Sequence, residues 1–167
     1  MYEDKKELDN KVLGVVNTYI RRVESLVGDR IVAKIYGNGS VSLDHVYTVT
    51  LVIPDAIASP RYPDMFMDQI VASFTFKTFP GNASIQIVSN AFIQYKYRNR
   101  GIGTLMNQCR IDIGKALELS ALMCTVASYN VFQLRIMEKN GWTRSYTLKK
   151  KGQNSEVHIY IYDLTGD

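Results

Sequence analysis

Cysteine is scarce in this chain: 167 residues hold only Cys109 and Cys124. Neither stands in a CxxC pair or at Cys/His spacing, which argues against a metal module or a disulfide framework and for a reducing compartment. Neither has a histidine close in sequence to activate it, and no GxSxG elbow is present, so no covalent enzyme nucleophile is expected. Long apolar runs are missing too. No uninterrupted run approaches the length of a membrane span, and the opening MYEDKKELDN is polar and acidic where a signal peptide is apolar, so a soluble, cytoplasmic protein with no membrane partner is expected. Charge of one sign is lacking as well. Twenty Lys and Arg against 16 Asp and Glu leave a formal charge of +4. That mild excess suits a phosphate-bearing ligand or an acidic partner without demanding nucleic acid. The eleven tyrosines are not interleaved with a basic run in an RNP-like pattern, so nucleic acid is not the expected partner. Without a repeat, a low-complexity tract or a linker, residues 1–167 are read as one domain of ordinary globular composition.

What is present is periodic. Leu8, Val12, Val15, Val16, Tyr19, Val23 and Leu26 recur every three or four positions, which predicts an amphipathic helix ended by Gly28-Asp29. Runs rich in β-branched and aromatic residues predict strands over Arg30 to Tyr36 and His45 to Ile53, joined through a Gly37-Asn38-Gly39-Ser40 turn. After a Pro-interrupted stretch from Pro54 to Pro63, IVASFTFKTF and ASIQIVSNAFIQ predict a second antiparallel pair across Pro80-Gly81-Asn82. The period then changes: helix over Gly103 to Leu119, a buried strand over residues 121 to 126, and a helix over Asn130 to Asn140 closed by Gly141. Trp142 to Leu148 and Val157 to Leu164 complete an antiparallel pair, with Lys149-Lys150-Lys151 at its solvated tip. The expected class is α/β of α+β character. A mixed, mostly antiparallel twisted sheet carries a central parallel strand-helix-strand unit.

One stretch carries chemistry. YRNRGIGTLMNQCR, residues 97 to 110, places two glycines at the mouth of a helix and flanks the first with arginines. The first amides of a helix lack carbonyl partners and the helix dipole adds positive potential, so such a turn attracts anions, and glycine lets the backbone approach them closely. Arg98, Asn99, Arg100, Gly101, Ile102, Gly103 and Thr104 would form a pyrophosphate cradle. A P-loop needs GxxxxGK[ST] and a Rossmann turn needs GxGxxG; no Lys-Ser or Lys-Thr follows Gly103, and residue 106 is Met. The arginine side chains can equally be solvated cations; the amide cradle does not depend on them.

FIQYKYRNRGIGTLMNQC resembles motif A of the GNAT acetyltransferases, a strand leading into [Q/R]xxGx[G/A] and a helix, here Arg98, Gly101 and Gly103. ALMCTVASYNVFQLRIMEKNGW is similar to the family's next strand, Asn, helix and closing Gly-aromatic pair, here Asn130, Gly141 and Trp142. Together they span residues 83 to 142. The resemblance implies an acyl-CoA N-acyltransferase fold with residues 1–80 as the variable acceptor side, 83–142 as the acetyl-CoA-binding core and 142–164 as a closing strand pair. It implies acetyl-CoA as co-substrate and no metal. It also implies that pantetheine pairs with the strand ending at Phe92-Ile93-Gln94, whose amides can polarise the thioester carbonyl as an amine attacks directly. Asn130 reads both as a helix N-cap and as a pantetheine contact. The implied acceptor is an amine on a small molecule, peptide or protein. Oligomeric state is not legible, a homodimer being one state left open.

The chain departs from the family at one position. Where the family commonly places a tyrosine that protonates the CoA thiolate, this sequence has Met137, and a thioether cannot donate a proton. Ser128 and Tyr129 are candidate substitutes, and no general base is evident in residues 83 to 94. His45 and His158 fall in alternating strand segments and read as strand residues rather than bases. Two functions stay open: an amine acetyltransferase, or an acyl-CoA sensor or interaction module that has lost acid and base.

Overall fold

A computed structural model describes residues 2–37, 46–61, 64–149 and 156–166. Helix α1 spans Tyr2–Val27 and is followed by four strands, β1 Val32–Gly37, β2 Val46–Ala58, β3 Phe66–Phe79 and β4 Asn82–Ile93. A single 3-10 turn, Tyr95–Tyr97, leads into α2, Ile102–Ala116. Then come β5 Ala121–Ala127, α3 Val131–Lys139, β6 Thr143–Lys149 and β7 Glu156–Asp163. All seven strands join one sheet in the order β1-β2-β3-β4-β5-β7-β6. Among the described residues only β4 and β5 run parallel, and α2 is their crossover. The mixed sheet with one parallel unit is the class expected from the sequence.

Burial explains the elements. The α1 stripe predicted from periodicity is the buried one, with Val12, Val16, Tyr19 and Val23 all at most 5% exposed. It packs with Ile102, Met106, Cys109 and Ile113 of α2 and with Val49, Leu51, Phe74 and Phe76 of β2 and β3 in one core. The Tyr19 hydroxyl donates to Asp112 and ties the two helices together. Burial and the Asp112 carboxylate both hold the Tyr19 phenol well above its usual ionisation range. Among the described residues no helix is long and apolar enough to cross a membrane.

Boundaries differ where the chain bulges. The stretch from Pro54, expected to break the sheet, continues β2 to Ala58, and β3 starts four residues before the predicted run, at Phe66. The ladder absorbs the proline by shifting register between Ile53 and Ile57, with Asp55 at φ 51°. Irregular pairing of this kind frees the strand from a regular amide bond at Pro54. Helix α2 stops at Ala116 rather than Leu119, because Glu118 adopts a left-handed φ of 53° and its amide turns back to Lys115. The expected 37–40 turn from residue 38 onward, His45, and Lys150 and Lys151 lie outside the described residues.

Candidate functional site

Strand β4 leaves its parallel partner early. Pairing with β5 covers only Ile85 with Ala121 through Ile87 with Met123. Opposite Phe74, β4 then gains one residue: Ser73 pairs with Phe92 but Thr75 pairs with Ser89, and Asn90 takes a left-handed φ of 50°. Such a bulge bends the strand. Beyond it β4 stays with β3 to Ile93 while β5 stays with β7 to Ala127, so a wedge opens between them. Among the described residues the β4 edge facing the wedge has no strand partner there.

The cradle sits at the mouth of α2. Asn99 at φ 60° and Gly101 at φ 87° turn the backbone left-handed on either side of Arg100, and Gly101 is the N-cap. Among the described residues the amides of 99 to 103 donate to no backbone carbonyl, while that of Arg98 is taken by Tyr95 and those of Thr104 and Leu105 by Gly101. These five donors lie at the positive end of a fifteen-residue helix, an arrangement that can receive an anion. Gly103 has a second, steric role. A Cβ there would lie 3.1 Å from Ile136 Cδ1 and 3.3 Å from Ile93 Cδ1, so its bare backbone lets α2 pass close to α3 and β4.

A cleft of about 670 Å³ joins the cradle to the wedge. Of the residues singled out in the sequence, Phe92, Ile93, Arg98, Asn99, Gly101, Gly103, Thr104 and Asn130 line it. Gln94, Arg100 and Ile102 do not. The Gln94 amide is committed to the Val71 carbonyl, Ile102 is buried in the core at 1% exposure, and Arg100 donates from Nη1 to Leu26 at the end of α1. Arg98 turns its Nε to the Ile93 carbonyl at 2.9 Å, so it braces the end of β4 as well as edging the cleft. Asn130 caps α3, its Oδ1 accepting from the Gln133 amide at 3.2 Å, and the same side chain borders the cleft.

The candidate acids lie elsewhere. Ser128 Oγ accepts from the Glu156 amide, Tyr129 is 79% exposed, and neither lines the cleft. Met137 is fully buried, its sulfur accepting from Gln133 Nε2 at 3.2 Å. Replacing Met137 with Tyr is therefore expected to overpack the base of α3 and to lower stability by about 1–3 kcal/mol in urea unfolding. A variant as stable as wild type would show that the helix shifts to admit the ring. The thiols of Cys109 and Cys124 are each pushed up to about 12 by burial, so both stay protonated at neutral pH. His158 is a buried strand residue with its Nδ1 on the Thr147 hydroxyl, outside the cleft.

Sequence reading missed Arg110, Gln133 and the Asn90 bulge. Arg110 had a legible signal: it follows Ile102 and Met106 at four-residue steps, so a charge falls on the apolar stripe of α2. The bulge had none, since Asn90 is one polar residue in a strand-like run.

No protein-family model and no curated protein matches the sequence. Solved structures do match it. A protein assigned to the GNAT acetyltransferase family from Desulfovibrio desulfuricans superposes with a TM-score of 0.55 at 11% identity, over 71% of this chain and 68% of that one. A protein assigned as a phosphinothricin N-acetyltransferase matches over 96% of this chain and 94% of its own, with a TM-score of 0.54 and 18% identity. The NatC complex bound to Gag peptide and CoA contains a chain that superposes at 0.55 and 18% identity, covering 71% of each. Likeness at these identities speaks to architecture, and with the parallel β4–β5 unit, the wedge and the glycine turn in place, it shows that this chain has the GNAT acyltransferase fold.

Proposed function

We propose that this protein is an N-acetyltransferase that passes an acetyl group directly from acetyl-CoA to a primary amine of a small molecule, peptide or protein. The observation that carries the reading is one cleft bordered both by Asn99, Gly101 and Gly103 of the α2 turn and by the end of β4 past its last pair with β5. The first feature suits a pyrophosphate, and the second suits an amide-bearing arm that adds to a strand edge. The bare Cα of Gly101 and the left-handed Asn99 give phosphate oxygens close access to the backbone. Neighbours of the same fold that hold CoA, such as the NatC complex, support the donor assignment. Strands β2 and β3 run on past the end of β4, and Ile57, Met65, Phe66, Met67 and Ile70 are exposed there. That apolar shelf supports placing the acceptor on the side built by residues 1–80. On this reading the whole chain works as one unit, with 83–142 holding the donor and 142–164 closing the sheet.

The chemistry asks little of side chains. An amine that has lost its proton attacks the thioester carbonyl, and fixed amide dipoles of β4 near the bulge stabilise the charge on oxygen. Neither buried thiol is poised to carry the acetyl group.

One observation favours a second reading, an acyl-CoA-binding module without turnover. Among the described residues lining the cleft, the ionisable side chains are Tyr95 and three arginines, with no carboxylate or histidine to move a proton. A panel of amines incubated with acetyl-CoA, with free CoA as readout and binding measured by calorimetry, separates the two. Amine-dependent release of CoA is the expected result; binding without release would establish the module, and absence of binding would sink both.

A further inference from the structure

Arg110 is a buried cation that no anion among the described residues faces. It is 3% exposed on the sheet-facing stripe of α2. One of its terminal nitrogens donates to Asn107 Oδ1 at 3.0 Å, its Nε has no partner, and among the described residues no carboxylate pairs with it. Its other neighbours are the Phe74 ring, 5.9 Å from the guanidinium carbon, and the protonated thiols of Cys109 and Cys124. A guanidinium held this way is costly unless negative charge arrives beside it. Its position says where that charge would come from. Arg110 borders both the main cleft and a further space of about 230 Å³ between Val88–Ala91 of β4 and Cys124–Ala127 of β5, immediately past the last parallel pair.

We propose that Arg110 stabilises the negative charge that builds at the thioester end of the acyl donor and leaves on its sulfur. This rests on the acetyl-CoA reading and adds to it a cation where the strands part. As the amine nitrogen bonds to the acyl carbon, the carbon–sulfur bond breaks, its electron pair departs on sulfur as thiolate, and the amine's surplus proton passes to solvent. Arg110 keeps its own proton and acts through charge and a charge-assisted hydrogen bond. The departing group then needs no protein acid, which accounts for a cleft with no carboxylate or histidine among its described lining residues.

The test uses CoA itself. Bound to the wild-type protein, the CoA thiol titrates at least one pH unit below free CoA, followed by thiolate absorbance. In Arg110→Met it returns to the free value or above, and Arg110→Lys restores part of the depression. With any amine the wild type accepts, Arg110→Met lowers kcat about 100-fold and leaves KM for acetyl-CoA within a few-fold. A merely structural arginine predicts otherwise. Exchanging an unpaired buried charge for an apolar side chain leaves the melting temperature at or above wild type. Three results overturn the proposal: an unshifted thiol in wild-type complex, activity lost only in step with a lowered melting temperature, or a wild-type preference for malonyl- or succinyl-CoA over acetyl-CoA that vanishes in Arg110→Met. The last would assign the cation to an acyl carboxylate. Failure of the wild type to bind CoA removes the donor reading and this proposal together, whereas binding with an unshifted thiol removes only the role of Arg110.

Discussion

Replacing Gly103 with Glu is expected to abolish CoA binding and leave the fold standing. A Cβ at this position presses on Ile136 Cδ1 and Ile93 Cδ1, at 3.1 and 3.3 Å. Both are far ends of flexible side chains, which can yield by a few tenths of an ångström. Gly103→Ala thus measures the steric term alone and should keep CoA affinity within a few-fold. The glutamate adds a carboxylate within the run of free amides at residues 99 to 103, where the helix dipole favours a ligand anion. At an effective dielectric of 20 and a separation of about 5 Å, each phosphate charge is opposed by about 3 kcal/mol. Affinity should fall at least about 100-fold by calorimetry, with an unchanged far-ultraviolet spectrum. Affinity equal to that of Gly103→Ala would remove the α2 mouth from the binding site.

Phe76→Ala is expected to be the most destabilising change in the sheet. The ring is fully buried, stacks on Tyr47 with centroids 5.0 Å apart and planes within 7°, and meets Phe74 edge-on at 5.8 Å. Truncation removes the transfer term, leaves a cavity and breaks two aromatic pairs, for a loss of about 3–5 kcal/mol in urea unfolding. Phe76 also pairs in register with Val88, the residue at which β4 begins to leave β5. A drop in CoA affinity in the fraction still folded should therefore accompany the lost stability. A loss below about 1.5 kcal/mol would mean that Tyr47 and Phe74 close over the gap.

Much of this molecule was legible in its residues because the forces involved are local. The α1 stripe, the alternating strands, the Asn130 cap and the left-handed glycines at 28, 81, 101 and 141 follow from period and backbone conformation alone. The order of motifs around Gly101 and Asn130 implied a parallel crossover, and the sheet contains one. Less legible was the stretch from Pro54. Its proline signalled a break, but a bulge beside β3 absorbed it, and only the partner strand could supply that accommodation.

The site divides along the same line. By itself, the sequence determined the glycine turn at the start of α2: free amides at a helix start and the dihedral freedom of glycine are properties of a dozen neighbouring residues. Tertiary structure alone decided what faces that place. It turned Arg98 and Arg100 to the backbone of β4 and α1, pulled Gln94 into the β3 ladder, buried Met137 on the inner side of α3, and left Arg110 beside the wedge with no carboxylate partner among the described residues. The reason is physical. A side chain's partner, and the desolvation that sets the strength of its charge, come from strands and helices remote in sequence, and no local pattern encodes their approach.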